Sequence, residues 1–522
     1  MPVPKMPVPK MPVPKTTGAG IGARYTTEMD APQAPLNITV CRKARLSRDA
    51  RFDGLFFVGV ETTGIFCRPI CPARAPKESN VTYYPTALKA MQAGLRPCLR
   101  CRPESAPGSP AWHGVQTTLT RAVKLIDEGE WRAQSLPQFA ARLGVSDRYL
   151  RKLFQQHLGI SPLKYANFRR VIFAKQLLQQ TSLAVGDVAH MAGFGSTRRF
   201  NALFVELLAL TPQQIRGVQK TESVADNPLS VLLSYRPPYD WVGVRDFYRA
   251  RQIAGLEVVT DNSYSRSFSY QKGCGVFKAT HVPDKNSFRI ELSMTHPEHA
   301  LAIIQRIRRL LDLDADATAI ATELGNNPAL ATLNSTGIRL PGLWSSFEAG
   351  VRAILGQQVS VKAAHKLVSR LVVELSETLP ATMAGNDVPN LVFPEPVAVA
   401  SSNLEFLAMP NKRRQALRLL AEHILQNGEG LDSGVGLSED AAYNSWLAIQ
   451  GIGPWTVQYT AFRMGHPDVF LAGDLGVKNA LKKLAIKSEK QPFFDANTTS
   501  PWGSYATLLL WQSLSADVGE NI

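Results

Sequence analysis

The chain has 522 residues, 45% hydrophobic and 19% charged, and its 58 lysines and arginines against 43 aspartates and glutamates give a formal net charge of +15. One hydrophobic core stops growing at roughly 250 to 300 residues, so about three or four domains are expected. The longest apolar runs, such as 55–60, are far too short to span a bilayer, which excludes membrane-spanning helices, and the basic excess favours a polyanion such as nucleic acid.

Residues 1–15 repeat Met-Pro-Val-Pro-Lys three times, a proline spacing that denies both helix and sheet pairing. Residues 1–36 are therefore predicted to be a disordered basic tail outside the fold. They lack the apolar stretch of a secretory signal.

Six cysteines occur, and four of them crowd into 67–101. Cys67 and Cys71 are separated by three residues and Cys98 and Cys101 by two, so each pair can bite one tetrahedral ion. This spacing predicts a closed zinc site in a reducing compartment, with Cys41 and Cys274 as ordinary thiols. Arg68, Arg96, Arg100 and Arg102 flank the ligands and suit phosphate. The stretches 62–69 and 96–103 resemble the Ada-type N-terminal zinc domain. That resemblance implies Cys67 as the acceptor of a methyl group from a DNA methylphosphotriester, once per protein molecule. A purely structural zinc site is the competing reading.

The stretch 117–219 reads as helix almost throughout, broken at Gly144, at 159–162 and at 193–195. Helix, glycine turn, helix occurs twice, with Ser146 or Asp147 capping the second element of the first copy. This stretch resembles the AraC-type regulator domain, most closely over 193–216, which contains Leu210-Thr211-Pro212. Arg148, Arg151 and Lys152 on one second helix, and Arg198, Arg199 and Asn201 on the other, are placed to reach a groove or its phosphates.

Beyond 230, strands are expected over 256–260, 265–270 and 275–280, and helices dominate after Leu340. Gly451-Ile452-Gly453 lies between helical segments, where the paired glycines permit a turn whose bare amides face a phosphate. Asp474 follows Gly453 by 21 residues, just before a helical run. Alone it reads as a helix N-cap, and a cap also anchors a carboxylate. Together these residues resemble the helix-hairpin-helix glycosylase superfamily. From 234 to 512 the likeness is to AlkA-type 3-methyladenine DNA glycosylases, through 237–241, 339–342, 353–357 and 501–505. The resemblance implies Asp474 as the catalytic carboxylate and Leu340 as the wedge that fills the gap left by a flipped nucleotide. It also implies Tyr459, Trp511 and Phe247 as aromatic walls, with Gly451 and Gly453 gripping the backbone. Trp455 stands where strand-cleaving relatives carry a Schiff-base lysine, and it joins the substrate-binding set, so monofunctional excision is expected. No cysteine follows Cys274, which leaves no ligands for an iron–sulfur cluster. No Pro-Cys-His-Arg motif occurs, so direct reversal of alkylated guanine is not expected.

The expected architecture is mainly α with α+β parts. A small four-cysteine zinc domain (37–104) precedes an all-α double helix-turn-helix module (117–219). An antiparallel-sheet α+β domain (230–312) and an all-α helix-hairpin-helix glycosylase domain (313–522) follow. The cofactor is zinc, and the family resemblance adds a monovalent cation at the hairpin. Damaged and operator double-stranded DNA are the partners, with RNA polymerase a further candidate, for a cytoplasmic, nucleoid-associated monomer. The alternative is a damage-responsive activator whose glycosylase-like part is inactive.

Overall fold

The computed structural model describes residues 38–48, 56–71, 73–98, 100–101, 103, 118–131, 135–217, 229–383, 388–428, 431, 439–487, 494 and 496–515. The tail expected over 1–36 lies outside them. No helix among the described residues is long and apolar enough to cross a membrane.

The cysteine block contains α1 (Ile38–Ser47), β1 (Phe57–Val60), β2 (Ile65–Cys67), β3 (Val81–Tyr84), α2 (Ala87–Gln92) and β4 (Arg96–Pro97). Its sheet has the order β3-β1-β2-β4, antiparallel except for the β2–β4 pair. That short parallel pair builds the cysteine cluster. Phe66 stands opposite Pro97, and the Cys98 N–H donates to the Phe66 carbonyl at 2.9 Å, so Cys67 and Cys98 arrive side by side.

Seven helices follow: α3 (Thr118–Asp127), α4 (Leu136–Arg142), α5 (Asp147–Leu158), α6 (Pro162–Gln180), α7 (Val185–Met191), α8 (Thr197–Leu208) and α9 (Pro212–Gly217). Ser135, Ser146, Ser161 and Ser196 cap α4, α5, α6 and α8 by accepting first-turn backbone N–H groups. Gly144 and Gly193, at φ of 72° and 85°, close the two turns, in a region where a β-carbon is strained. The pairs α4–α5 and α7–α8 are the two expected helix-turn-helix units, bridged by α6. Gln92 of the cysteine block donates to the carbonyl of Gly159, just past α5, at 2.7 Å.

The next region holds β5 (Ser230–Ser234), α10 (Trp241–Arg249), β6 (Glu257–Val259), β7 (Ser263–Tyr270), β8 (Gly273–Val282), β9 (Ser287–Met294) and α11 (Ala300–Leu310). Its strands form one antiparallel sheet of order β5-β9-β8-β7-β6. The helices α12 (Ala317–Gly325), α13 (Ser346–Gly356), α14 (Val361–Leu375), α15 (Pro396–Ser401), α16 (Asn411–Asn427), α17 (Glu439–Leu447), α18 (Pro454–Arg463), α19 (Leu475–Lys487) and α20 (Gly503–Ser515) complete the chain. They pack as two cores, one around Trp446, Leu371 and Leu420, the other around Phe462, Leu471 and Tyr505.

Two features join these regions. Arg266 of β7 is fully buried beside Glu348 (2.8 Å), which also holds Arg352 (2.8 Å), and Arg352 reaches Glu257 (3.1 Å). Burial alone would push the Glu257 carboxyl up, but Arg352 and Arg266 outweigh it and hold it below the usual range. Secondly, one apolar core runs unbroken from Val171 and Leu177 of the bridging α6 and Phe204 of the second helix-turn-helix unit to Val231, Phe288 and Ile303 of the sheet region.

Candidate active site and metal centre

Asp474 immediately precedes α19, and its Oδ1 accepts the Val477 N–H at 3.1 Å, so it caps the helix. Two indoles hold the same carboxylate: Trp455 Nε1 donates to Oδ2 at 3.1 Å and Trp511 Nε1 to Oδ1 at 2.9 Å. The cap and the anchored carboxylate are one arrangement. Trp455 stacks on Tyr459 at 5.3 Å and 24°, and Trp511 lies 6.4 Å from Tyr459. All three rings are partly exposed, so apolar faces and a fixed negative charge share one accessible wall. Leu475, beside the carboxylate, is 72% exposed.

Two arginines that no motif flags back this wall, Arg463 from a fully buried position. Arg463 donates from Nη1 to the Tyr459 hydroxyl at 3.1 Å and spends Nε and Nη2 on the Pro341 and Gly342 carbonyls. Arg251 lies over the Phe247 ring at 3.8 Å, occupying a face of that aromatic. Burial lowers Arg251 to about 10. Burial would raise Tyr459, but Arg463 and Arg251 hold its phenol below the ordinary value. Sequence reading missed both arginines because a buried cation within a helix or at its end looks like a solvated surface residue.

Gly451 sits at φ 90°, and a Cβ there would stand 2.8 Å from the Ala416 Cβ, so conformation and packing both demand glycine. Gly453 differs: its φ is −104° and a Cβ there would meet nothing within 4 Å, so neither conformation nor packing demands glycine at this position in front of α18. Gln357 braces the hairpin, donating to the Gly451 carbonyl at 3.2 Å and the Thr456 hydroxyl at 3.0 Å.

Leu340 does not fit the wedge role. It is 1% exposed inside the core around Phe462, and its N–H is fixed by Asp312 at 2.9 Å. The neighbouring Arg339 explains why: its guanidinium binds the Asp312, Ala315 and Pro238 carbonyls, so 339–342 is an interior brace and cannot meet DNA. The exposed segment beside the hairpin is 357–361, where Gln358 has φ 55° and Val361 is 53% exposed.

In the metal centre the sulfurs of Cys67, Cys71, Cys98 and Cys101 all lie within 4.8 Å of one another, with Cys71 and Cys98 at 4.0 Å. Tetrahedral zinc with bonds of about 2.3 Å asks for sulfurs about 3.8 Å apart, so the set fits one ion. Hydrogen bonding, first to Cys101, holds Cys71 down at about 7 and pushes Cys67 well above the thiol range. Four thiolates this close need a cation between them. Cys98 and Cys101 are buried, whereas Cys67 and Cys71 are partly open. Arg68 is committed to the site, giving its N–H to the Cys101 sulfur at 3.3 Å and its guanidinium to the Cys101 carbonyl at 3.3 Å. Arg102 lies outside the described residues. Arg148, Arg151 and Lys152 on α5 and Arg198, Arg199 and Asn201 on α8 are all exposed, as a groove-reading face requires.

Three family descriptions match the chain: "Metal binding domain of Ada" over 40–104, "Helix-turn-helix domain" over 139–217 and "AlkA N-terminal domain" over 230–345. A Mycobacterium tuberculosis protein named "Probable bifunctional transcriptional activator/DNA repair enzyme AlkA" is 36% identical over 488 residues, covering 92% of this chain and 97% of that protein. The chain belongs to this AlkA family of bifunctional activator/repair proteins. The two ends of this family member also match separate proteins. "DNA-3-methyladenine glycosylase 2" of Escherichia coli is 34% identical over 286 residues, 53% of this chain and 95% of that one. "Bifunctional transcriptional activator/DNA repair enzyme AdaA" of Bacillus subtilis is 34% identical over 182 residues, 34% of this chain and 83% of that one.

Proposed function

We propose that this family member repairs alkylated DNA in two ways, excising N-alkylated bases such as 3-methyladenine at Asp474 and accepting a phosphotriester methyl at Cys67. The observation that carries the first part is one carboxylate held by two indoles and a helix N-terminus in an aromatic wall. An N-alkylated purine is already a good leaving group. The residues have to receive the extruded base between aromatic faces and place negative charge near the anomeric carbon as cation character develops. Trp455, Tyr459 and Trp511 do the first, worth about 0.5 to 2 kcal/mol per ring for a cationic base, and Asp474 does the second. With Trp455 where a lysine would attack the sugar, the product is an abasic site in an uncut strand. Gly451 and Gly453 grip the backbone. The wedge falls to the 357–361 loop, with Gln358 at its strained apex. The hairpin carbonyls would hold a monovalent cation, and that of Gly451, which accepts one hydrogen bond from Gln357, keeps a lone pair for it.

At the other end, zinc when bound keeps the cysteines ionised. The Cys67 sulfur displaces the phosphate oxygen at the methyl carbon: the C–O bond breaks, an S–C bond forms, and the phosphodiester leaves as an anion. The cluster then carries one negative charge fewer, which favours DNA binding by the helix-turn-helix module and its recruitment of RNA polymerase by a monomeric activator. A glycosylase-like part that has lost activity has no need of a carboxylate so held. Release of free base from methylated duplex tests the excision reading. Wild type releases it, leaving strands intact until alkali, and Asp474→Asn falls at least about a hundredfold. Equal release by both overturns it.

A further inference from the structure

The helix-turn-helix module and the sheet region of the glycosylase half are welded. Strand β5 is the outer strand of its sheet, and an exposed edge leaves unpaired backbone groups. Here α6 covers it: Gln176 Nε2 donates to the Leu232 carbonyl at 3.2 Å, and Gln180 Oε1 accepts the Leu232 N–H at 2.8 Å. The turn after α3 seals a second seam. Gly129, at φ 75°, lies so close to α11 that a Cβ would stand 3.1 Å from the Ala302 nitrogen. On either side of it Glu128 meets Arg309 at 3.3 Å and Glu130 accepts the Tyr270 hydroxyl at 2.7 Å. The continuous apolar core lies beneath the first seam, whereas the helices α3 to α5 behind the second seam pack on a core of their own around Phe139, Leu150 and Phe154.

From this joint we infer that the exposed arginine faces of α5 and α8 form an accessory DNA-binding surface of the excision reaction, gripping undamaged duplex that flanks the lesion. The inference rests on the excision reading above. Two weak DNA contacts on one rigid body act at a mutual effective concentration of roughly millimolar order, so each strengthens the other wherever a single duplex reaches both. A flexible tether would dilute that gain, whereas here α6 lies directly against β5 through Gln176 and Gln180. The contact is to phosphates, so it depends on duplex length and salt and not on sequence. It acts on substrate capture and leaves the bond-breaking step to Asp474.

The test uses the full-length protein and one N-methylated base at the centre of a duplex of either about 12 or about 60 base pairs, roughly one or six helical turns. Wild type should show a KM about tenfold lower on the long duplex, with the same kcat. In Arg198→Ala/Arg199→Ala the long-duplex KM should rise towards the short-duplex value, and the log–log salt slope of kcat/KM should become shallower by about 2, one unit per lost phosphate contact. Gln176→Ala/Gln180→Ala touches neither DNA face and leaves the apolar core between α6 and the sheet in place, so it should keep the length advantage and serve as the control for the arginine variant. Equal wild-type KM on the two lengths overturns the inference, as does an unchanged salt slope in the arginine variant with its thermal unfolding intact. Release from neither duplex overturns the excision reading, and this inference falls with it.

Discussion

Leu340 shows how one side chain separates structure from mechanism. A wedge must be exposed, and Leu340 is enclosed among Ile338, Phe462 and Leu509. Leu340→Ala should therefore lower stability by about 2 to 5 kcal/mol in urea unfolding, as for other buried leucines, with little change in the kcat of the folded fraction. A large kcat loss at full stability would restore the wedge reading. Beside it, Asp312 accepts the Leu340 N–H and the Tyr505 hydroxyl, and burial pushes its carboxyl up to about 6 despite Arg339. An unfolded aspartate titrates near ~3.9, so between these values the folded state binds the extra proton. Stability from this group therefore rises as pH falls through 6 towards 4. Melting curves of wild type and Asp312→Asn should diverge over that window, the wild type gaining on the variant as pH falls. A pH-independent difference would contradict the assignment. The arginine-leucine-proline-glycine run was visible as a motif, but no sequence pattern says whether a leucine in a loop faces solvent or core.

Among elements, the strands, helices and glycine turns were largely legible because serine caps and left-handed glycines mark their ends. Strand β7 was harder to interpret. Its Ser-Tyr-Ser-Arg alternation reads as a half-solvated strand, yet both faces are buried, and on the arginine face α13 supplies Glu348 to neutralise Arg266. Such pairing is set by residues 82 positions apart and leaves no local trace. Glu348→Ala would leave two buried guanidinium groups, Arg266 and Arg352, to share the single carboxylate of Glu257, and thermal or urea unfolding should report a loss of about 3 to 5 kcal/mol. A loss under about 1 kcal/mol would mean that water reaches the cluster. The hairpin and Asp474 could be recognised only as a pair, since a glycine turn and a helix cap are each commonplace. Their aromatic partners followed from the resemblance, whereas Arg251 and Arg463 emerged only from packing.

For the whole molecule, the four-cysteine spacing, the doubled helix-turn-helix and the hairpin marked out the modules, but nothing in the sequence announced that a core continues across 218–228. That continuity makes α6 to α9 and the sheet region one body, while the cysteine block keeps small cores of its own around Phe66 and Phe56. The central claim is that the two chemistries are separable by residue. It is tested by one mass-spectrometric measurement on duplex carrying both a methylphosphotriester and an N-methylated base, scoring methylated Cys67 peptide and released base together. Wild type should give both signals, Asp474→Asn only the methylated peptide, and Cys67→Ser only the released base. A methyl found on Cys71 instead, base release surviving in Asp474→Asn, or both signals lost with either single substitution in a folded protein would contradict the account.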